Sequence, residues 1–271
     1  MKSTYVTEIM TMKIGSNLSF KDHARIAKSV EIGYDYVETA LNGLAVASSE
    51  DIDAFVNTLK VNNTTCPVVN CFFPGKLKLT GDEVDYSAID EYLDSSLALS
   101  GKIGFKIVVF GSGGSRRVPE GFDTAKATEQ LIYLCSEHIA PYMKKYGLVC
   151  AVEELNRLEC NILTTCAETV ELIRVVNKPE IKLLYDYYHA GMENEPVSDI
   201  RGYADLIVHC HIASPSNKRA FPRSGDGDNY GEFFNILREC GYKSKLVTIE
   251  GHDNGEYLRS SIDALNLLKS L

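Results

Sequence analysis

Four residues of this chain can do chemistry together: Glu153, Asp186, His211 and Glu250. Each stands at or near the end of a short apolar run, at 148–155 (LVCAVEEL), 181–187 (IKLLYDY), 206–212 (LIVHCHI) and 245–250 (KLVTIE). Three carboxylates and an imidazole brought to one point in a low-dielectric pocket cannot all stay charged and unpaired. One divalent metal ion resolves that conflict. An oxygen-rich set with one nitrogen suits Mn2+ first, then Mg2+ or Co2+; a catalytic Zn2+ stays open, and the carboxylate count argues against a purely structural zinc. A lone acid at a strand end is more often a cap or a salt-bridge partner. Four such groups on consecutive runs strain that explanation.

Elements that would position these groups are legible along the whole chain. Further strand-like runs lie at 5–10 (YVTEIM), 34–40 (YDYVETA), 66–73 (CPVVNCFF) and 104–111 (GFKIVVFG), which makes eight. Several are nearly continuous in Val, Ile, Leu and Cys, as strands covered on both faces are. Helical patterns fall between them. Ser19 with Asp22 makes a capping-box-like start, and Gly33 a fitting stop. Across 124–146, Leu131, Leu134, Cys135, His138, Ile139 and Tyr142 share one helix face, with Gly147 ending the run. Other helices are expected near 49–62, 84–100, 165–177, 197–204, 229–240 and 256–270. The βα alternation implies a parallel sheet, read here as one (β/α)8 TIM barrel domain over 1–271, with an open doubly wound sheet as the alternative. A barrel of this kind carries its active site at the C-terminal strand ends, where the four residues fall.

Local motifs carry a resemblance as well. The chain resembles the xylose isomerase-like TIM barrel family of sugar (phosphate) isomerases and epimerases, most closely the ketose 3-epimerases of the D-tagatose/D-psicose type. Glu-Glu-Leu-Asn-Arg-Leu-Glu at 153–159 is similar to the family's E-x-L-N-R-x-E segment. The resemblance implies Glu153 as metal ligand and acid/base, and Glu159 as a substrate contact. Asp186-Tyr-Tyr-His189 resembles the D-x-x-H segment, which implies Asp186 as ligand and His189 beside the substrate carbonyl oxygen. His209-Cys-His211 resembles H-x-H, whose second His binds metal. Arg219-Ala-Phe-Pro222 followed by Gly225-Asp-Gly227 resembles a substrate loop whose Arg reaches substrate, although the chain carries two extra residues before it and Arg223 in place of a glycine. Glu250 in VTIEG resembles the last ligand and second acid/base.

The chemistry follows from these groups. Epimerising a carbon beside a ketone removes a weakly acidic C–H proton, and a metal on the carbonyl and hydroxyl oxygens would stabilise the enediolate as charge develops. Glu153 and Glu250 are the candidates to take the proton from one face and return one on the other. His189 and Arg219 would polarise or anchor oxygens, with Glu159 holding the Arg or a hydroxyl. The expected substrate is a small ketose or sugar phosphate.

Remaining features weigh less. Gly-Ser-Gly-Gly-Ser-Arg-Arg at 111–117 lacks a phosphate-loop signature and reads as a flexible loop over the barrel mouth, with Arg116 and Arg117 available to a phosphate or carboxylate. Glu38 reads as a substrate contact or a loop cap, His209 as a deeper supporting histidine, His138 as structural, and Tyr185, Tyr187 and Tyr188 mainly as barrel packing, with a pocket-facing Tyr187 as the alternative. Eight cysteines without a CxxC pair read as reduced, and with no leader or apolar span the expected compartment is cytoplasmic. A net charge of -9 argues against nucleic acid or anionic membrane as partner, and homo-oligomerisation stays open. Two other reactions are alternatives on the same fold. One is dehydration of an inosose- or dehydroshikimate-like cyclic ketone. The other is an endonuclease IV-like phosphodiesterase, which needs extra histidines from the early strands that this chain lacks.

Overall fold

Eight short parallel strands pair in sequence order, and the eighth returns to pair with the first, in a computed structural model that describes residues 11–271. The open-sheet alternative is thereby excluded. The strands are β1 (Lys13–Asn17), β2 (Tyr36–Ala40), β3 (Val68–Asn70), β4 (Ile107–Phe110), β5 (Val149–Glu153), β6 (Ile181–Asp186), β7 (Ile207–Ile212) and β8 (Leu246–Ile249). Seven lie inside the apolar runs. The strand expected at 5–10 falls outside the described residues, and the barrel takes its first strand from KIGSN instead.

Side chains alternate between the barrel interior and the helix layer, because successive Cβ atoms point to opposite faces. Below the mouth the interior is filled by Tyr36, Val68, Val109, Ala151 and Leu184. The Tyr36 ring lies so close to β1 that a Cβ on Gly15 would stand 2.3 Å from it. That steric demand keeps β1 small and polar at its centre, which hides it from an apolarity search.

Most of the expected helices form, with side-chain caps that satisfy their free N–H groups. Asp22, Ser48, Asp85, Asp123, Thr165 and Asn229 each accept from the backbone N–H three residues on. The first helix, His23–Ile32, starts one turn later than the Ser19 reading; Ser19 caps Lys21 instead. The long run at 124–146 is interrupted by a π-helical stretch, Leu134–Ile139, between Thr124–Tyr133 and Ala140–Tyr146. The run at 84–100 divides into Tyr86–Leu97 and Ser100–Ile103, and 197–204 is a 3-10 turn, Val197–Gly202. His138 is structural, as expected: it stacks on Tyr86 at 4.6 Å and meets Asp90 Oδ1 at 2.7 Å. All eight cysteines are unpaired. No helix among the described residues is long and apolar enough to cross a membrane.

Candidate active site

The alternation that fills the interior delivers Glu153, Asp186, His211 and Glu250 to the C-terminal mouth from β5, β6, β7 and the residue after β8. His211 Nδ1 lies 3.1 Å from Glu153 Oε1, 3.4 Å from Glu250 Oε2 and 3.9 Å from Asp186 Oδ2. One donor atom from each of the four falls within 4.8 Å of the others. Asp186 also caps the helix Tyr187–Met192, accepting from the Tyr188 and His189 N–H groups through Oδ1. Its other oxygen is buried without a donor. A buried carboxylate oxygen left bare beside two more carboxylates and an imidazole is what a divalent cation would satisfy, and the oxygen-rich donor set fits one.

Beneath this layer Glu38, fully buried, holds the two histidines of β7. Its Oε1 meets His211 Nε2 at 2.8 Å, and its Oε2 meets His209 Nε2 at 2.9 Å and accepts from Thr248 Oγ1 at 2.6 Å. Glu38 is therefore neither a loop cap nor a mouth residue, while His209 is the supporting histidine expected. Burial works to raise the Glu38 carboxyl, but the two imidazoles bring it down to about 2. The carboxylates above differ in kind. Burial pushes the Glu153 carboxyl up despite its bond to His211, with Glu250 and Asp186 adding to the rise. Burial works in the same direction on Glu250, yet His211 and the Arg219 guanidinium outweigh it and hold that carboxyl low.

Several supports were not apparent from the sequence. Asn17 and Asn70, at the ends of β1 and β3, donate from Nδ2 to Glu250 Oε1 at 3.2 and 2.7 Å. Gly111, following β4, leaves the space that Glu153 occupies, since a Cβ there would sit 2.1 Å from Glu153 Oε2. We expect Gly111→Ala to displace the Glu153 carboxylate and reduce turnover by roughly 10²-fold, because a shift of about 1 Å at a reacting group has that effect. The melting temperature should barely move, as only the end of a flexible side chain must shift; unchanged turnover would mean that Glu153 need not sit where it does.

The substrate-side candidates also converge. Arg219 reaches Glu250 Oε2 at 2.6 Å and both oxygens of Glu159 at 3.1 Å, with its guanidinium 5.0 Å from the Tyr188 ring centre. The loop before it is anchored by a backbone ladder. Arg219 N–H donates to Ser214, His252 N–H to Arg219, and Phe221 N–H to His252. Lys218 and Arg219 both adopt left-handed φ values, of 53° and 62°, a strained arrangement that this ladder maintains. His189 is fully buried with Nε2 3.7 Å from Asp186 Oδ2. The segment at 111–117 departs from the expected loop: Gly113–Arg116 is a short helix, and Arg116 is buried, donating to the Phe110 carbonyl. Arg117 donates to the Glu159 carbonyl. Tyr187 does not face the pocket but packs on Tyr230 and Phe233.

Comparison with known proteins points the same way. Residues 26–270 match the family described as xylose isomerase-like TIM barrel. The chain is similar to a D-psicose 3-epimerase of Agrobacterium fabrum, 25% identical over 262 residues that cover 87% of this chain and 84% of that protein. It is similar to a probable ketose 3-epimerase of Synechocystis sp., 34% identical over 113 residues, covering 41% of this chain and 38% of that relative's length. Its fold matches a D-psicose 3-epimerase with D-tagatose from Clostridium cellulolyticum H10 at TM-score 0.84 and 19% identity, covering 96% of this chain and 99% of that one. A 3-keto-D-glucoside 4-epimerase from E. coli matches at TM-score 0.78 and 20% identity, covering 96% and 100%.

Proposed function

Because the chain belongs to the xylose isomerase-like TIM barrel family, we propose that it is a metal-dependent ketose 3-epimerase, inverting the carbon beside the ketone of a small sugar. The observation that carries this reading is the meeting of Glu153 and Glu250 at His211 Nδ1, 3.1 and 3.4 Å away. Two acids from strands on different sides of the barrel flank one point, and their environments push them apart in acidity. An inversion needs two such carriers, one for each face of the reacting carbon. The D-psicose 3-epimerase that is similar over most of this chain supports the same reaction class.

Glu153, Asp186, His211 and Glu250 would hold the ion, Mn2+ for preference. When bound, the cation supplies positive charge beside the ketone and makes the neighbouring C–H more acidic. This chain's own groups then move the proton. Glu153 and Glu250 work on the two faces of the reacting carbon, the substrate's stereochemistry deciding which takes and which returns. Arg219, held by Glu159 and stacked on Tyr188, anchors a sugar oxygen, and His189 meets the carbonyl oxygen. A free sugar fits better than a sugar phosphate, since Arg116 is fully buried and Arg117 bonds the Glu159 carbonyl. The early strands supply no extra histidines for a phosphodiesterase centre. Unpaired cysteines suit a reducing compartment, which we take to be the cytoplasm.

Incubating Mn2+-loaded protein with a panel of ketoses in deuterated water tests the reaction. Deuterium should enter at C3 of at least one sugar. Entry only at C1 or C2 would make the protein an aldose–ketose isomerase, and loss of water from a cyclic ketone without exchange into any ketose would make it a dehydratase.

A further inference from the structure

Asn156 has no part in the reading above, yet its polar atoms are spent in an unusual way. Its backbone N–H and its side-chain Nδ2 both approach His189 Nδ1, at 3.2 and 2.8 Å. Its Oδ1 accepts from the Leu158 N–H at 3.0 Å, and that bond fixes which end of the amide is oxygen. Turned over, the amide would set its NH2 against an N–H and its oxygen against the ring. The same Nδ2 also reaches Glu159 Oε1 at 3.3 Å.

Two N–H donors aimed at one ring nitrogen require that nitrogen to present its lone pair. The His189 ring is fully buried, with Nδ1 met by these two donors. Its proton must therefore sit on Nε2. Nε2 has no hydrogen-bond partner and lies beside Asp186 Oδ2, at the point where the candidate ligands gather.

We propose that Asn156 is a positioning residue that locks His189 in the Nε2–H tautomer, making His189 a hydrogen-bond donor to a substrate oxygen and barring it from accepting a proton. The lock stands on geometry alone, while the substrate oxygen as its target rests on the epimerase reading. The consequence is a division of labour. Taking a hydroxyl proton at Nε2 would need the ring proton on Nδ1, facing both Asn156 donors. Proton traffic is thus confined to Glu153 and Glu250, which favours inversion at one carbon over reactions in which a third group must shuttle a proton between oxygens. A neutral imidazole used as a carbonyl polariser is a known device.

The test is 15N–1H correlation spectroscopy on protein labelled with 15N-histidine and loaded with diamagnetic Mg2+, the His189 signal being assigned by its loss in His189→Gln. We expect Nδ1 bare and Nε2 protonated. Asn156→Asp keeps the acceptor for Leu158 but sets a carboxylate oxygen against the ring, so the His189 proton should move to Nδ1. kcat should then fall roughly 10²-fold, as for a misdirected reacting group, and KM should rise as well, because the new carboxylate stands against Glu159, which holds Arg219. His189→Gln places an amide N–H near the ring Nε2–H and should retain turnover well above that of Glu153→Gln. A protonated Nδ1 in the unaltered protein, an unmoved tautomer in Asn156→Asp with the His209 and His211 signals intact, or His189→Gln as inactive as Glu153→Gln would overturn the proposal. If no ketose is exchanged by any of these proteins, the spectra still decide the lock, and the failure belongs to the epimerase reading.

Discussion

Glutamine at position 153 or 250 should each reduce deuterium entry into the substrate by roughly 10²–10⁴-fold, the contribution typical of a positioned proton carrier. Glutamine keeps the shape and the capacity to meet His211, but it cannot take or return a proton. The fold should survive both changes. Glu153 is a buried acid whose charged form is disfavoured first by desolvation and further by Glu250 and Asp186 nearby. Removing its charge from the metal-free protein therefore relieves repulsion, so thermal stability should hold or rise. Glu250 is more dependent on its surroundings, since Arg219, Asn17 and Asn70 all bond to it. A glutamine there can satisfy the asparagines through its oxygen but removes one of the two carboxylates that pair with Arg219, leaving Glu159. Melting curves and deuterium wash-in on the two variants check both statements. Near-normal exchange in either protein would remove that residue from proton transfer.

Metal affinity should fall about 10–100-fold in Glu38→Gln, although Glu38 touches neither the substrate side nor the candidate ion. The carboxylate accepts from His211 Nε2 on one oxygen and from His209 Nε2 and Thr248 on the other. It thereby fixes the His211 tautomer, keeps Nδ1 free to bind, and makes the imidazole a stronger donor. Partners of this kind usually change affinity by that factor. A glutamine has one acceptor oxygen for two histidines, so one ring must turn or lose its partner. Titration with Mn2+ measures the effect, and His211→Ala should weaken binding further still. Wild-type affinity in Glu38→Gln would show that the ring is held by packing alone.

Much of this site was legible because parallel strands buried on both faces read as apolar runs, against which an interior acid or imidazole stands out. Glu153, Asp186, His211 and Glu250 are interruptions of that kind, one near each of four successive strand ends. Asn17 escaped notice because β1 is short and carries Gly15 to admit the Tyr36 ring, so nothing in KIGSN suggests a strand. Asn70 was visible but mute, since its partner is 180 residues away in sequence. Glu38 was misread for the same reason: its bonds to β7 and β8 exist only once the barrel closes. Arg116 resembled a ligand-binding cation from its Gly-rich setting, yet a short helix turns it inward. The π-helical stretch at Leu134–Ile139 leaves the apolar spacing almost unchanged and gave no signal. Local pattern thus showed where the strands end, while the partners that tune the site are set by closure.

The claim on which the rest depends is that four groups from β5 to β8 share one cation. Crystals of the Mn2+-loaded protein, with an anomalous difference map from data collected above the manganese edge, test it directly. One strong peak is expected, bounded by Glu153, Asp186, His211 Nδ1 and Glu250. A map featureless at that point in manganese-saturated crystals, or a peak held by other residues with these four side chains turned apart, would contradict it.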